Sequence, residues 1–267
     1  KALADNTTGA NNTAVGERAL YVNTTGASNV AVGAYALDAN TTASNNSAVG
    51  YNALTANTTG ANNIAIGVAT LDANTTAHDN VAIGNSAMTA SNSADNVAVG
   101  NLALTALTTG ASNTAVGSLA LDGTDDGASN TAVGYAALSA NCGGSNVAVG
   151  VHALSVVTGS ENVGVGVAAG VAITSGDNNI CIGLDSARAG SPGGAATTGS
   201  DSVYIGDENI GDAYIQVDWT VASDERDKTD FTALDVGLDF VNALAPVTYK
   251  WDKRSKYIDK TDPSVDL

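Results

Sequence analysis

Asparagine, a small apolar residue, a β-branched residue and glycine recur in one fixed order along most of the chain, as in Asn29-Val30-Ala31-Val32-Gly33 and Asn63-Ile64-Ala65-Ile66-Gly67. The glycines are Gly16, Gly33, Gly50, Gly67, Gly84, Gly100, Gly117, Gly134, Gly150, Gly166 and Gly183, and a looser copy ends at Gly206. They stand 16 or 17 residues apart as far as Gly183, and the last interval stretches to 23. Four residues before each glycine sits an asparagine: Asn12, Asn29, Asn46, Asn63, Asn80, Asn96, Asn113, Asn130, Asn146, Asn162 and Asn179, with Ser202 in the looser copy. The residue before the glycine is always Val or Ile, and the one before that is Ala in nine copies, then Gly164, Cys181 and Tyr204. Leu or Met follows the glycine by four in the first nine copies, from Leu20 to Leu154.

The apolar spacing within each half of the unit has period two, which predicts strands. One strand covers Asn-x-Ala-Val, and a second covers the segment around Ala-Leu after the glycine. The polar run Asn-Thr-Thr-Gly-Ala, as at Asn23–Ala27 and Asn57–Ala61, closes the unit with turn residues. The fold class this predicts is all-β, a parallel β-solenoid or β-roll of about twelve coils. Rungs stacked at ~4.8 Å give a length of roughly 55 Å. The asparagines should form a ladder of amide hydrogen bonds, with Val, Ile and Leu in columns between them.

Composition limits what such a roll can be. Its 44% hydrophobic content is mostly Ala and Val, with only 2 Phe, 2 Trp and 1 Met. That predicts a thin interior without a large ligand pocket. One roll of this kind is short of buried surface, so the Leu column or part of the Ala/Val face is expected to pack on identical neighbours. A homotrimer, intertwined or side by side, would supply the missing core.

A net charge of −17 argues against nucleic-acid binding, which needs Lys and Arg against phosphate. No apolar run is long enough to insert in a membrane. Two histidines, His78 and His152, and two cysteines, Cys142 and Cys181, argue against a cofactor, a metal set or a disulfide framework. Asp38, Asp72 and Asp122 recur after the Leu position but lack a calcium-loop pattern. The chain opens on Lys1-Ala2-Leu3 in mid-unit, which suggests a piece of a longer fibre.

The Asn-x-Ala-Val/Ile-Gly units resemble the β-roll head repeats of trimeric autotransporter adhesins, and similar repeats occur in bacteriophage tail fibres. The resemblance covers residues 1–206, although those heads use shorter units. It implies an extracellular fibre, on a virion tail or a bacterial surface, that meets a host glycan or protein receptor.

Beyond Gly206 the character changes. Tyr214–Val221 alternates like a strand, Thr232–Leu244 has amphipathic helical spacing, Pro246 ends it, and Val247–Trp251 reads as a strand. The expected organisation is a solenoid over 1–206, a β-rich neck over 207–222 and a short α+β segment over 223–267. Ser223-Asp224-x-Arg226-x-Lys228, followed by a Leu-bearing helix and Ala245-Pro246-Val247-x-Tyr249-x-Trp251, is similar to the start of the intramolecular chaperone domain of phage tail spikes and endosialidases. The resemblance implies a module that helps three chains fold together and then cuts itself off. Carried over, Ser223 is the nucleophile at the Ser223–Asp224 bond and Lys228 its base.

Three functions are therefore open. The first is a structural and adhesive fibre with a C-terminal trimerisation chaperone. The second is a fibre-borne enzyme, either a glycan-degrading spike or a chain whose chemistry is serine-type self-cleavage. The third is an ice- or surface-binding solenoid built on the Thr-Thr turns.

Overall fold

A computed structural model describes residues 1–191 and 193–212, which belong to one compact unit, Lys1–Ala213. Each repeat contributes one three-residue strand. These are β1 (Thr13–Val15), β2 (Val30–Val32), β3 (Ser47–Val49), β4 (Ile64–Ile66), β5 (Val81–Ile83), β6 (Val97–Val99), β7 (Thr114–Val116), β8 (Thr131–Val133), β9 (Val147–Val149), β10 (Val163–Val165), β11 (Ile180–Ile182) and β12 (Val203–Ile205). They form a single 12-stranded parallel sheet in sequence order. The register never slips: Ala14 pairs Ala31, Ala31 pairs Ala48, and so on to Cys181 and Tyr204. The parallel β-solenoid expected from the repeat is the fold.

The segment after each glycine is not the second strand that alternation suggested. It is a ribbon of turns in which every other residue is left-handed, as in Tyr35 (φ +62°) and Leu37 (φ +53°) or Asn52 (φ +56°) and Leu54 (φ +52°). The ribbon still bonds coil to coil. Leu37 donates its N–H to the Ala53 carbonyl at 3.0 Å, and Tyr35 donates to that of Glu17 at 2.8 Å. Left-handed backbone costs an L-residue about 1–2 kcal/mol. Full burial of a Leu side chain returns about 1.5–3 kcal/mol, so the Leu positions hold the conformation. Gly170 stands where the Leu column would continue and takes the same hand (φ +67°) without that cost.

The Leu column turns inward. Leu20, Leu37, Leu54, Leu71, Met88, Leu104, Leu121, Leu138 and Leu154 are all fully buried within their own solenoid, against the Ala column of the strands. They are not available to a neighbouring molecule. Where the Ala column gives way to Gly164, the Leu154 side chain fills the space: a Cβ on Gly164 would lie 2.7 Å from Leu154 Cγ.

The repeat glycines are a steric requirement. A Cβ built on Gly16 would sit 2.5 Å from the Gly33 carbonyl oxygen, and one on Gly166 would sit 2.6 Å from that of Gly183. The same overlap with the next glycine occurs at Gly33, Gly50, Gly67, Gly84, Gly100, Gly117, Gly134 and Gly150, all with positive φ. Each coil therefore rests its glycine backbone on the next.

Among the described residues no helix is long and apolar enough to cross a membrane. The neck from residue 213 onward, the Thr232–Leu244 helix and the Val247–Trp251 strand lie outside the described residues.

Candidate functional site

The ladder asparagines hydrogen-bond from coil to coil along the described solenoid. Each side-chain oxygen accepts the backbone N–H of the next ladder residue, from Asn12 to Asn29 (2.9 Å) through to Asn179 and Ser202 (3.2 Å). Except at Asn80, the side-chain nitrogen reaches the turn of the following coil, as from Asn46 to the Gly60 carbonyl (2.8 Å) and Asn113 to that of Gly127 (2.9 Å). The strong links thus run from side chain to main chain. The amide-to-amide contacts expected from the sequence are longer, 3.2 Å between Asn63 and Asn46. A buried backbone N–H without a partner costs about 1–3 kcal/mol, so this ladder removes that cost once per coil.

A second ladder was missed. The asparagine that opens each Asn-Thr-Thr-Gly turn is fully buried at Asn23, Asn40, Asn57 and Asn74. Here the amides do bond one another: Asn23 to Asn6 (2.8 Å), Asn40 to Asn23 (2.8 Å), Asn57 to Asn40 (3.0 Å) and Asn74 to Asn57 (2.9 Å). Its signal was the same fixed spacing that marked the first ladder. The column then changes to Ser91, Leu107, Thr124, Cys142, Val157 and Ile173, all buried. At that change the Asn74 side-chain oxygen and the Asn80 side-chain nitrogen are buried without partners.

The outer face of the sheet is apolar. Val15, Val32, Val49, Ile66, Ile83, Val99, Val116, Val133, Val149, Val165, Ile182 and Ile205 form one unbroken outward column of the paired strands. Ile66 is 41% exposed and Ile182 44%. Val30, Ile64, Ile180 and Val203 add exposed apolar surface in the adjacent outward column.

Polar and aromatic features cluster at the turn edges. Arg18 forms a bidentate pair with Asp38 (2.9 Å) and lies 4.5 Å over the Tyr21 ring. The Asp38 contact raises the Arg18 pKa above its ordinary value. Tyr35 meets Tyr51 edge to face at 6.0 Å, and Tyr135 meets His152 at 5.3 Å. The first hydroxyl of each Thr pair is tied to the coil above, as Thr24 to the Thr41 carbonyl (3.0 Å) and Thr41 to that of Thr58 (3.2 Å). In four of the pairs the second threonine alone is exposed, at Thr25, Thr42, Thr59 and Thr76, whereas both are exposed in Thr7-Thr8 and Thr108-Thr109.

Burial sets the remaining ionisable groups. It pushes the Asp72 and Asp122 carboxyls up and raises the Cys142 thiol. The Cys181 thiol is pushed up to about 11. Both cysteines are free and buried, which leaves them poor nucleophiles. His78 and His152 are exposed, as expected of turn residues.

Ser223, Asp224 and Lys228 lie outside the described residues. They fall within a match to a known family. Residues 223–264 match the sequence model of the family described as chaperone of endosialidase. No curated protein and no solved structure matches the chain. The chain thus combines a β-solenoid with a segment, residues 223–264, that is similar to endosialidase chaperones. That matched segment begins at the Ser223-Asp224 pair.

Proposed function

We propose that the chain is part of a homotrimeric extracellular fibre, on a phage tail or a bacterial surface, that attaches to a host. In this reading residues 1–206 are the shaft or head, 207–222 the neck and 223–267 a chaperone segment that brings three chains together. One observation carries it, the outward Val/Ile column that runs unbroken from Val15 to Ile205. Contiguous apolar patches on monomeric proteins rarely exceed a few hundred Å², about 300–600 Å² at the largest. A column that repeats on every rung calls for a partner that repeats at the same spacing, and a second copy of the solenoid does so. The Leu column is already buried, so the sheet face is the surface left for the purpose. The chaperone-family match at 223–264 supports the same reading, because in-register docking of long parallel coils is a slow, non-local event.

Attachment is assigned to the exposed turn edges, where Tyr51 and Tyr135 stand in the solvent. Three copies would add avidity to weak single contacts. Self-cleavage is the second element. The Ser223 hydroxyl gives its proton to Lys228 and attacks the carbonyl carbon of a Ser223–Asp224 bond. The C–N bond breaks as the Asp224 amine leaves with that proton, and water hydrolyses the ester so formed. A glycan-degrading site is less favoured. Asp79 and Asp95 are close enough to suggest a carboxylate pair, but both are exposed and the His78 contact holds Asp79 below the usual carboxylate range. A glycosidase needs one carboxyl kept protonated. Ice binding is disfavoured because the threonine array is interrupted at Asn92–Ser93 and ends after Thr108-Thr109, where the next coil carries Asp125-Asp126.

Sedimentation of the full chain tests the proposal. A particle of three chains is expected, and a monodisperse monomer across micromolar concentrations would overturn it.

A further inference from the structure

The residue before each ladder asparagine is held left-handed, at Asn45 (φ +63°), Asn62 (φ +60°), Asp79 (φ +58°), Asp95 (φ +62°) and Ser112 (φ +62°). Asn and Asp tolerate this region better than other side chains. The fixed backbone stacks their side chains rung on rung. Asp79 and Asp95 place carboxylates on two successive rungs, which happens nowhere else in this column among the described residues.

Among the described residues no Lys or Arg forms an ion pair with either carboxylate. Lys1, Arg18 and Arg188 are the basic side chains of residues 1–212. Arg18 is engaged by Asp38 and Arg188 by Asp185, each at 2.9 Å, and Lys1 sits at the chain start.

His78 completes a donor set. Its Nδ1 lies 2.7 Å from Asp79 Oδ2, and one donor atom from each of His78, Asp79 and Asp95 lies within 4.8 Å of the others. Metal bonds of about 2.0–2.2 Å to nitrogen and oxygen put neighbouring ligand atoms about 3 to 4.4 Å apart, so small side-chain rotations bring the three onto one ion. The frame around them is ordered. Asp95 donates its N–H to the His78 carbonyl at 3.3 Å, which ties the two turns together. On the two preceding rungs of the same column, Asn62 accepts a hydrogen bond from Asn45 at 3.2 Å, so the column below Asp79 is tied together as well.

We propose that His78, Asp79 and Asp95 form a surface site for one divalent transition-metal ion. One imidazole with two carboxylates suits zinc, nickel or cobalt better than calcium, which prefers an all-oxygen shell. Three protein donors leave the remaining positions to water. The ion neutralises the stacked carboxylates and links two coils. The small number of histidines hid the site from the sequence: one is enough when a neighbouring coil supplies the third ligand.

Calorimetric titration of the full chain with Zn²⁺ tests the site, run beside thermal melting with and without the metal. The wild-type chain should bind one equivalent and melt higher when loaded. Asp95→Asn and His78→Gln should each weaken binding by about tenfold or more and remove the metal-dependent rise in melting temperature. Asn is native to this column at Asn45 and Asn62, so Asp95→Asn keeps the fold, and circular dichroism checks both variants. Asp201→Asn, in the same column far along the chain, should bind as wild type. Absence of saturable one-to-one binding, or wild-type affinity in both site variants, overturns the proposal.

Discussion

The side-chain oxygen of Asn29 accepts the backbone N–H of Asn46 at 2.9 Å, and the Asn46 side chain does the same for Asn63 at the same distance. One residue type at one spacing thus satisfies the main chain of the next coil, and the relation propagates from Asn12 to Ser202. Register in this solenoid is enforced by polar chemistry as well as by apolar columns.

Asn63→Ala should be costly. It leaves the Asn80 N–H without its 3.0 Å acceptor and removes the bond to the Ala77 carbonyl at 2.9 Å. Two disturbed buried groups predict a loss of about 2–4 kcal/mol. Thr59→Ala, on the exposed column, should stay within about 0.5 kcal/mol of wild type. Chemical denaturation of the two variants gives the comparison.

Gly166→Ala should be worse than a typical surface change. The added methyl meets the Gly183 carbonyl in a backbone already at φ +134°. A loss above about 3 kcal/mol is expected, since both strain and overlap act. Gly199→Ala meets nothing within 4 Å and should change stability by less than about 0.5 kcal/mol. Melting curves distinguish the two sites.

Cys181 should make stability fall in alkali. Its thiol rises from 9.0 to about 11 on folding because burial penalises the thiolate. The neutral thiol's contribution is complete below pH 9 and is lost as pH climbs from about 9 toward about 11. Cys181→Ala should show a shallower decline over that window. Native protein should also react slowly with thiol reagents at pH 8, and quickly once unfolded.

Ser223→Ala should leave the chain whole. The proposed self-cleavage predicts a break after Ser223 in the wild type and none in the variant. Intact-mass spectrometry reads both, and an unbroken wild-type chain would remove self-cleavage from the account.

Much of the solenoid was legible because its constraints repeat. The glycine column announced close backbone stacking, and the Asn column announced a ladder. The segment at Ala36-Leu37 was read as a strand because apolar alternation does not reveal the sign of φ, and two left-handed residues per coil produce the same pattern. The ladder at Asn23, Asn40, Asn57 and Asn74 was masked by its place in an Asn-Thr-Thr-Gly run, where turn chemistry is sufficient explanation. Which apolar column faced outward was also hidden, since Leu and Val/Ile are equally apolar in sequence. The proximity of Asp79 and Asp95 depends on the stacking of coils, which a linear sequence does not display. The Ser223–Lys228 pattern, in contrast, was visible from local sequence alone.

The outward Val/Ile column is the surface on which the account depends. Sedimentation of the wild type against a double variant, Ile66→Lys with Val116→Lys, measures its role directly, with circular dichroism confirming that the coils persist. The wild type should sediment at about three times the 26.3 kDa chain mass, and the variant should fall to one chain while keeping its β-sheet signal. A folded variant that remains as large as the wild type would contradict the account.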